Sequence, residues 1–397
     1  MVIASINALH YGSTGKIMLG ISDIAREYGN ECYTFSKNYN KKEDILGHYY
    51  IGNPKGLYID SLISVYSGFE GIYSRKNTKK LLRDLDSIKP DVIHLHNLHG
   101  WYLNFKMLFD YIKEKQIKTV WTLHDCWSFT GHCPYFDLAQ CDKWMTGCHH
   151  CKQYREYPQS RFDFTKKMYR LKKDWFTGVG DMTIVTPSRW LAGLVKKSYL
   201  QEYPVKVINN GIDLSIFKPA PSDFRKTHHI AESDIVLLGV AFDWEFRKGL
   251  DAFLELAKVL GEGYRIVLVG TDDKIDESLP KEIISIHRTE SPGELAEIYS
   301  AADFFVNPTR EENYPTVNME AIACGTPVIT FNTGGSPESL GDIGGIVIED
   351  NEISTLIEVI KKQKKPEREY RERLCEYAKT FDYRSKYEQY IELYREI

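Results

Sequence analysis

No run of about 18 or more apolar residues occurs, the length a helix needs to cross a bilayer, so no transmembrane helix is expected. The opening segment MVIASINALHYGSTGK has no basic stretch followed by an apolar one and reads as a first strand rather than a signal peptide. Basic charge is not in excess: 51 Lys and Arg stand against 55 Asp and Glu, a net charge of −4. That excludes the global positive field of a protein whose main task is gripping nucleic acid. No repeat of about 20–50 residues and no low-complexity tract is present. Aromatic residues, at 13%, are too plentiful for a disordered chain. These absences point to a folded, cytoplasmic protein of 397 residues with no nucleic-acid partner, and at roughly 100–200 residues per domain to two or three domains. In a reducing compartment its eight cysteines are thiols or metal ligands, not disulfides.

Short apolar runs alternate with helical patterns along the chain. Strands are expected at 2–8, 91–95, 119–123, 183–186, 205–208, 235–241, 265–269, 304–306 and 328–331, and a first helix near 16–28. Continuous Val, Ile and Leu runs separated by helices imply parallel sheets covered on both faces. The pattern starts afresh near Ile235, after the turn-rich stretch 209–223. The expected α/β architecture is two doubly wound, Rossmann-like domains facing a cleft, 1–204 and 205–380, with a terminal helix over 381–397. A Cys-rich insertion occupies 126–160. Ligands of such sheets sit beyond the carboxyl ends of the strands.

The stretch NPTREENYPTVNMEAIACGTPVITFNTGG, 307–335, is the most informative. A strand runs into a polar loop and the loop into a helix expected over 317–323, with Thr316 as its N-cap. Such a helix start offers unpaired N–H groups and a positive dipole end to phosphate. Glu312 and Glu320 flank it with seven residues between them. Carboxylates repel phosphate, so they suit sugar hydroxyls instead. On spacing alone the same pattern also suits an ordinary βα unit with a glutamate cap.

Glu312, seven residues, Glu320, then AIACGTPVI and NTGGSPE resembles the signature of retaining GT-B glycosyltransferases of the large family 4 group. PDVIHLHN (90–97), TLHD (122–125), TPSRW (186–190), NGID (210–213) and RKG (247–249) match the same family in the same order, over nearly the whole chain. Within it the chain is similar to bacterial transferases that build capsule, colanic-acid-like and other exopolysaccharides, which share the GSTGK-type first loop and the WSFTGHC-type segment.

The resemblance implies that Glu320 holds the nucleotide ribose, that Glu312 contacts the donor sugar, and that Asn313, Tyr314, Thr316 and Val317 cradle diphosphate and sugar. Relatives read Glu-Gly-Phe-Gly where this chain has Glu-Asn-Tyr-Pro, and Pro315 has no N–H. Lys248 matches the lysine that neutralises the leaving diphosphate. Asp243 stands where many relatives carry an arginine, which makes Arg247 the candidate for a second charge. His124 matches a histidine beside the donor sugar, with Asp125 expected to orient His124 or a helix. Gly12, Gly15 and Lys16 fall where donor phosphate and acceptor meet. A UDP-sugar, ahead of a GDP-sugar, is the implied donor of a metal-independent hexosyl transfer. The implied acceptor is a growing, lipid-linked polysaccharide or oligosaccharide at the inner face of the cell membrane. Retention by front-face attack is implied in the same way. The terminal helix, with Tyr383, Tyr387, Tyr390 and Tyr394 on one stripe, is implied to cross back onto the first domain.

The first loop lacks the glycine spacing and the Ser/Thr of a P-loop. Asp84-Leu-Asp86 has the spelling of a metal-binding pair, but two residues at i,i+2 of a helix do not face each other. His94, His96 and His99 spell a HxHxxH run better suited to local packing than to a metal. Cys133, Cys141, Cys148 and Cys151 contain one C-x-x-C and can hold a structural zinc, with His132, His149 and His150 as substitutes, or stay reduced. The basic helix over 164–175 carries Phe164, Met168, Leu171 and Trp175 on one stripe, fit either for an anionic membrane surface or for the core. Two rivals to transfer remain at this point: a nucleotide-sugar epimerase on a similar scaffold, and a non-catalytic sugar-nucleotide or polysaccharide binding subunit.

Overall fold

The computed structural model describes residues 1–37 and 43–397. They form two compact units, Met1–Asn209 with Lys386–Ile397, and Asn210–Ser385. Each unit is built on one parallel sheet. In the first, β1 (Val2–Asn7), β2 (Glu31–Lys37), β3 (His48–Ile51), β4 (Val92–Leu95), β5 (Lys118–Thr122), β6 (Met182–Thr186) and β7 (Val205–Val207) lie in the order β3-β2-β1-β4-β5-β6-β7. In the second, β8 (Ile235–Val240), β9 (Tyr264–Val269), β10 (Ile283–Ile286), β11 (Phe304–Asn307), β12 (Val328–Phe331) and β13 (Gly345–Ile348) lie in the order β10-β9-β8-β11-β12-β13. Both are Rossmann-like α/β units.

The apolar runs are continuous because both faces of each sheet are buried. Along β8, Leu238 packs into one core with Val267, Phe305 and Met319, while its neighbour Leu237 packs into the other with Leu268, Val306 and Ile329. The first unit gathers Phe109, Trp121 and Phe176 against Ile93 and Leu95.

The first unit extends to Asn209, five residues past the expected 204, because 205–207 is not the start of the second sheet. Val205 sits opposite Ile184 as edge strand β7, and Ile208 N–H continues the ladder onto Thr186 O at 3.0 Å. The second unit closes on itself where Ile212 bridges Asp382. The last helix, Tyr383–Glu396, belongs to the first unit from Lys386 onward. There Tyr394 OH lies 2.6 Å from His94 Nδ1, and Thr122 donates to Tyr390 OH at 3.2 Å. The basic helix is Thr165–Phe176, and within it the stripe is core: Met168 and Trp175 are buried, as is Lys172, and Leu171 is half-buried, while Phe164, at the N-cap, is exposed. It therefore leaves no apolar face for a membrane. No helix among the described residues is long and apolar enough to cross one.

β11 starts from a buried ionic anchor. Asp303, 3% exposed, accepts from Arg225 at 2.5 Å, from Arg371 at 3.2 Å and from Val236 N–H at 2.8 Å. Removing the carboxylate leaves two guanidinium groups with backbone carbonyls but without their anionic partner. Asp303→Ala is expected to destabilise the second unit by about 3 kcal/mol, read as a lower denaturant midpoint. An unchanged midpoint would remove this anchor from the account of β11.

Candidate functional site

In the second unit the chemistry-bearing residues collect beyond the carboxyl ends of β8 and β11, which are neighbours in the sheet. After β8 the chain makes a 3₁₀ turn, Phe246–Lys248, ended by Gly249 at φ +80. A Cβ on Gly249 would lie 2.5 Å from Pro308 O, so only glycine lets this turn close onto the loop after β11. Lys248 Nζ then reaches Glu312 Oε2 at 2.7 Å. Both side chains are mostly covered, 23% and 17% exposed. Burial alone would raise the Glu312 carboxyl. The Lys248 ammonium, the Asn313 N–H at 3.0 Å and the nearby Arg247 charge outweigh it and hold the carboxyl below its usual value.

Arg310 fastens the two loops together. Its guanidinium takes both oxygens of Asp251 at 2.8 Å, donates to Phe246 O at 2.7 Å and lies 4.0 Å from the centre of the Phe246 ring. Gly334, at φ +57, is the other close approach: a Cβ there would lie 1.8 Å from Glu312 O. The helix that follows is Thr316–Ala323, and its N-cap is Pro315 rather than the expected Thr316. Thr316 is the first residue with helical backbone, and no side-chain cap bond forms at Pro315 before it. A buried polar network seats the helix. Asn318 accepts from Asn307 at 2.8 Å and donates to Ser336 and Ser339 at 3.1 and 3.0 Å. Tyr299 OH donates to Glu320 Oε2 at 3.2 Å, and Asn210 donates to Tyr314 O at 3.4 Å. Arg247 and Lys248 thus lie in the turn after β8, and Glu312, Asn313, Tyr314, Thr316, Val317 and Glu320 in the loop after β11 and the helix that follows it. Arg310, Tyr299 and the Asn307–Asn318 pair were not anticipated. An arginine two residues before Glu312 and an aspartate three after Lys248 were the available signal.

The first unit carries a second cluster, beyond β1, β4 and β5. Gly15 lets the helix Gly12–Glu27 start against the preceding loop, since a Cβ would lie 2.4 Å from the His10 carbonyl carbon. Lys16 is exposed. His94 is buried and bonded to Thr122 and Tyr394, a packing role. His96 Nδ1 and His124 Nε2 are 3.1 Å apart, with the rings stacked at 12°. Burial drives His124 down to about 4, partly countered by Asp125, and pushes His96 well below its ordinary value. Both are neutral at pH 7. The second nitrogen of His96, Nε2, is buried with no hydrogen-bond partner among the described residues. Asp125 does not bond His124. It takes His99 Nε2 at 3.1 Å and Trp127 N–H at 2.8 Å, and so orients His99 and the 3₁₀ turn Trp127–Phe129. His99 in turn meets Tyr157 OH at 2.8 Å.

Cys133, Cys141, Cys148 and Cys151 line one cavity of about 190 Å³. Among the described residues no three His, Cys, Asp or Glu side chains already stand in an ion-holding array.

The sequence families that match divide as the units do. A family described as Glycosyltransferase Family 4 matches residues 53–216, and one described as Glycosyl transferases group 1 matches residues 222–381. The chain is 26% identical over 284 residues to a putative colanic acid biosynthesis glycosyl transferase, WcaC, of Escherichia coli K12, covering 69% of this chain and 68% of that one. Among solved structures it is similar to a sucrose-phosphate synthase from Thermosynechococcus elongatus, with a TM-score of 0.70 at 16% identity over 100% and 98% of the two chains. It is also similar to the HepE protein of Anabaena in complex with UDP, with a TM-score of 0.69 at 15% identity over 100% of both chains. With a family 4 match on one Rossmann-like unit and a group 1 match on the other, the chain belongs to the GT-B glycosyltransferases of that family 4/group 1 kind.

Proposed function

We propose that the protein is a retaining hexosyltransferase that moves a sugar from a UDP-sugar onto a growing surface polysaccharide. The observation that carries the proposal is the Lys248–Glu312 pair at the entry to the helix Thr316–Ala323. Lys248 serves the diphosphate together with the N–H groups of the first helical turn, and Arg247 adds charge beside it. Glu312, kept ionised, accepts from hydroxyls of the donor sugar, and Glu320, steadied by Tyr299, accepts from the ribose. The bond from the anomeric carbon to the diphosphate oxygen breaks, and a bond to the acceptor oxygen forms on the same face. The acceptor proton passes to the leaving phosphate oxygen. No metal has a part in this scheme. The polysaccharide acceptor rests on the colanic acid relative, and UDP on the Anabaena protein, whose complexes hold UDP and UDP-glucose.

The acceptor is proposed to be lipid-linked and the protein peripheral on the cytoplasmic face of the membrane. The supporting surface is the helix Pro54–Ser67 rather than the basic helix. Tyr58, Ile59, Leu62, Ile63 and Tyr66 form an exposed apolar row on it, joined by Phe162 and Phe164. Lys55, Arg161, Lys166 and Lys167 border that row, the composition that suits anionic lipid.

Three measurements test these readings. In a thermal-shift panel of UDP, GDP and ADP, UDP is expected to raise the midpoint. Lys248→Ala should lose that shift, while Glu312→Ala should keep it and lose turnover by about 100-fold or more. No shift with any nucleotide, or full turnover in Glu312→Ala, would refute the donor site. For His124, proposed to touch the donor sugar as a neutral group, the acid limb of kcat/KM is expected near its lowered value of about 4, not near 6.5. A limb at the ordinary histidine value, unchanged in His124→Asn, would remove it from the reaction. Co-sedimentation with vesicles containing anionic lipid should fall when Ile59 and Ile63 are both changed to Glu. Equal sedimentation of that variant would exclude this face.

A further inference from the structure

The transfer proposed above gives no role to residues 126–164, between the His124–Asp125 pair and the helix Thr165–Phe176. Among these residues the only helical elements are two 3₁₀ turns, Trp127–Phe129 and Lys143–Met145. Segments of this length without secondary structure of their own are uncommon in compact domains, because little offsets the entropy of ordering them. The early part is held by apolar packing: Trp127, Phe129, Phe136 and Trp144 are buried, and the Phe136 and Trp144 rings stack 5.0 Å apart. The later part, through 146–157, is largely polar and exposed or half-exposed. Yet its end must be placed, because Tyr157 meets His99.

The four cysteines converge on this problem. Cys133 comes from the early part, Cys141 from the middle, and Cys148 and Cys151 from the later part, and all four line the same cavity. Each thiol is within electrostatic reach of the other three, and none is in a disulfide. Two of the sulfurs already accept backbone N–H groups, Cys148 from Gly131 at 3.1 Å and Cys151 from Gln153. Such donors steady a sulfur that carries negative charge. Gly131 is required for this approach, since a Cβ would lie 2.8 Å from the Cys148 Cβ and 2.5 Å from Thr165 O. Lys172 Nζ is buried 3.5 Å from the centre of the Trp127 ring and faces Cys133 and Cys148. Four thiolates around a divalent ion carry two net negative charges, and a buried ammonium beside them offsets part of that.

We propose that Cys133, Cys141, Cys148 and Cys151 form a tetrahedral structural zinc site that staples this segment to the first unit. All four residues line the one cavity, and a tetrahedral site would set each sulfur about 2.3 Å from the ion. The site is independent of the donor site in the second unit, so either assignment can fail alone.

The test uses the full-length protein purified without added metal or chelator. Elemental analysis is expected to find one zinc per chain, released when a mercurial blocks the thiols. Exchange for Co²⁺ is expected to give the absorption of a tetrahedral all-thiolate site. Cys148→Ser should lose the zinc, while His149→Ala and His150→Ala should keep it. Metal-free protein that is folded and whose thermal midpoint is unmoved by added Zn²⁺ would overturn the site, as would a Co²⁺ spectrum with nitrogen in the ligand set. Should Cys148→Ser fail to fold, the metal content and Co²⁺ spectrum of the unaltered protein decide.

Discussion

Lys248 and Glu312 are 64 residues apart in the chain, and the second unit's site depends on holding them 2.7 Å apart. The parallel sheet makes this possible. β8 and β11 run side by side in the same direction, so the loops that leave them emerge at the same edge. They also mark the place where the winding reverses: β9 and β10 build outward from β8, and β12 and β13 outward from β11 on the other side. The connections that follow them therefore head to opposite sides of the sheet, and such a switch point is where these sheets take ligands. The first unit repeats the arrangement with β1 and β4, whose loops carry Gly15 and the histidines.

An ion pair this well covered does little for stability on its own, because desolvating two charges cancels much of their attraction. Its use is in orientation. Arg310 locks the loop after β8 to the loop after β11, the Asn318 network locks the helix to the next loop, and Gly249 and Gly334 remove the side chains that would hold them apart. The carboxylate and the ammonium are then presented in fixed positions without needing to move when charge develops nearby.

Strands whose both faces are buried were legible as Val, Ile and Leu runs. Those missed, β2, β3, β10 and β13, were short or rich in polar and aromatic residues, and three of them lie at sheet edges, where one flank has no partner strand and the apolar signal weakens. The first unit ends at 209 rather than 204 because 205–208 reads as a strand and nothing local says which sheet it joins, while the turn-rich stretch 209–223 does mark where the second unit begins. The site residues were legible as types and spacing, and through the family resemblance. Their partners were not. Asp125 sits next to His124 in sequence, yet its bond goes to His99, because adjacent residues leaving a strand point apart. Arg310 reads as one more surface charge until Asp251 is found opposite it. The stripe of 164–175 reads equally as a lipid face or a core face, and only burial separates the two.

Pro315 shows how a departure from the family pattern is absorbed. A proline inside a turn proposed to cradle phosphate removes a backbone donor, which by itself argues for a weakened site. The structure places it at the N-cap, at φ −74 and ψ 121, one residue before the helix. The N–H groups that a helix start offers to an anion belong to the first helical residues, here Thr316, Val317 and Asn318, and proline at the cap takes none of them away. Its fixed φ instead narrows the ways in which the chain can enter the helix. With Asn318 anchored by its side chain to Ser336 and Ser339, the first turn is held from both ends. Rigidity at the entry thus replaces the glycine-rich turn of the relatives, at the cost of one loop donor and of none in the helix.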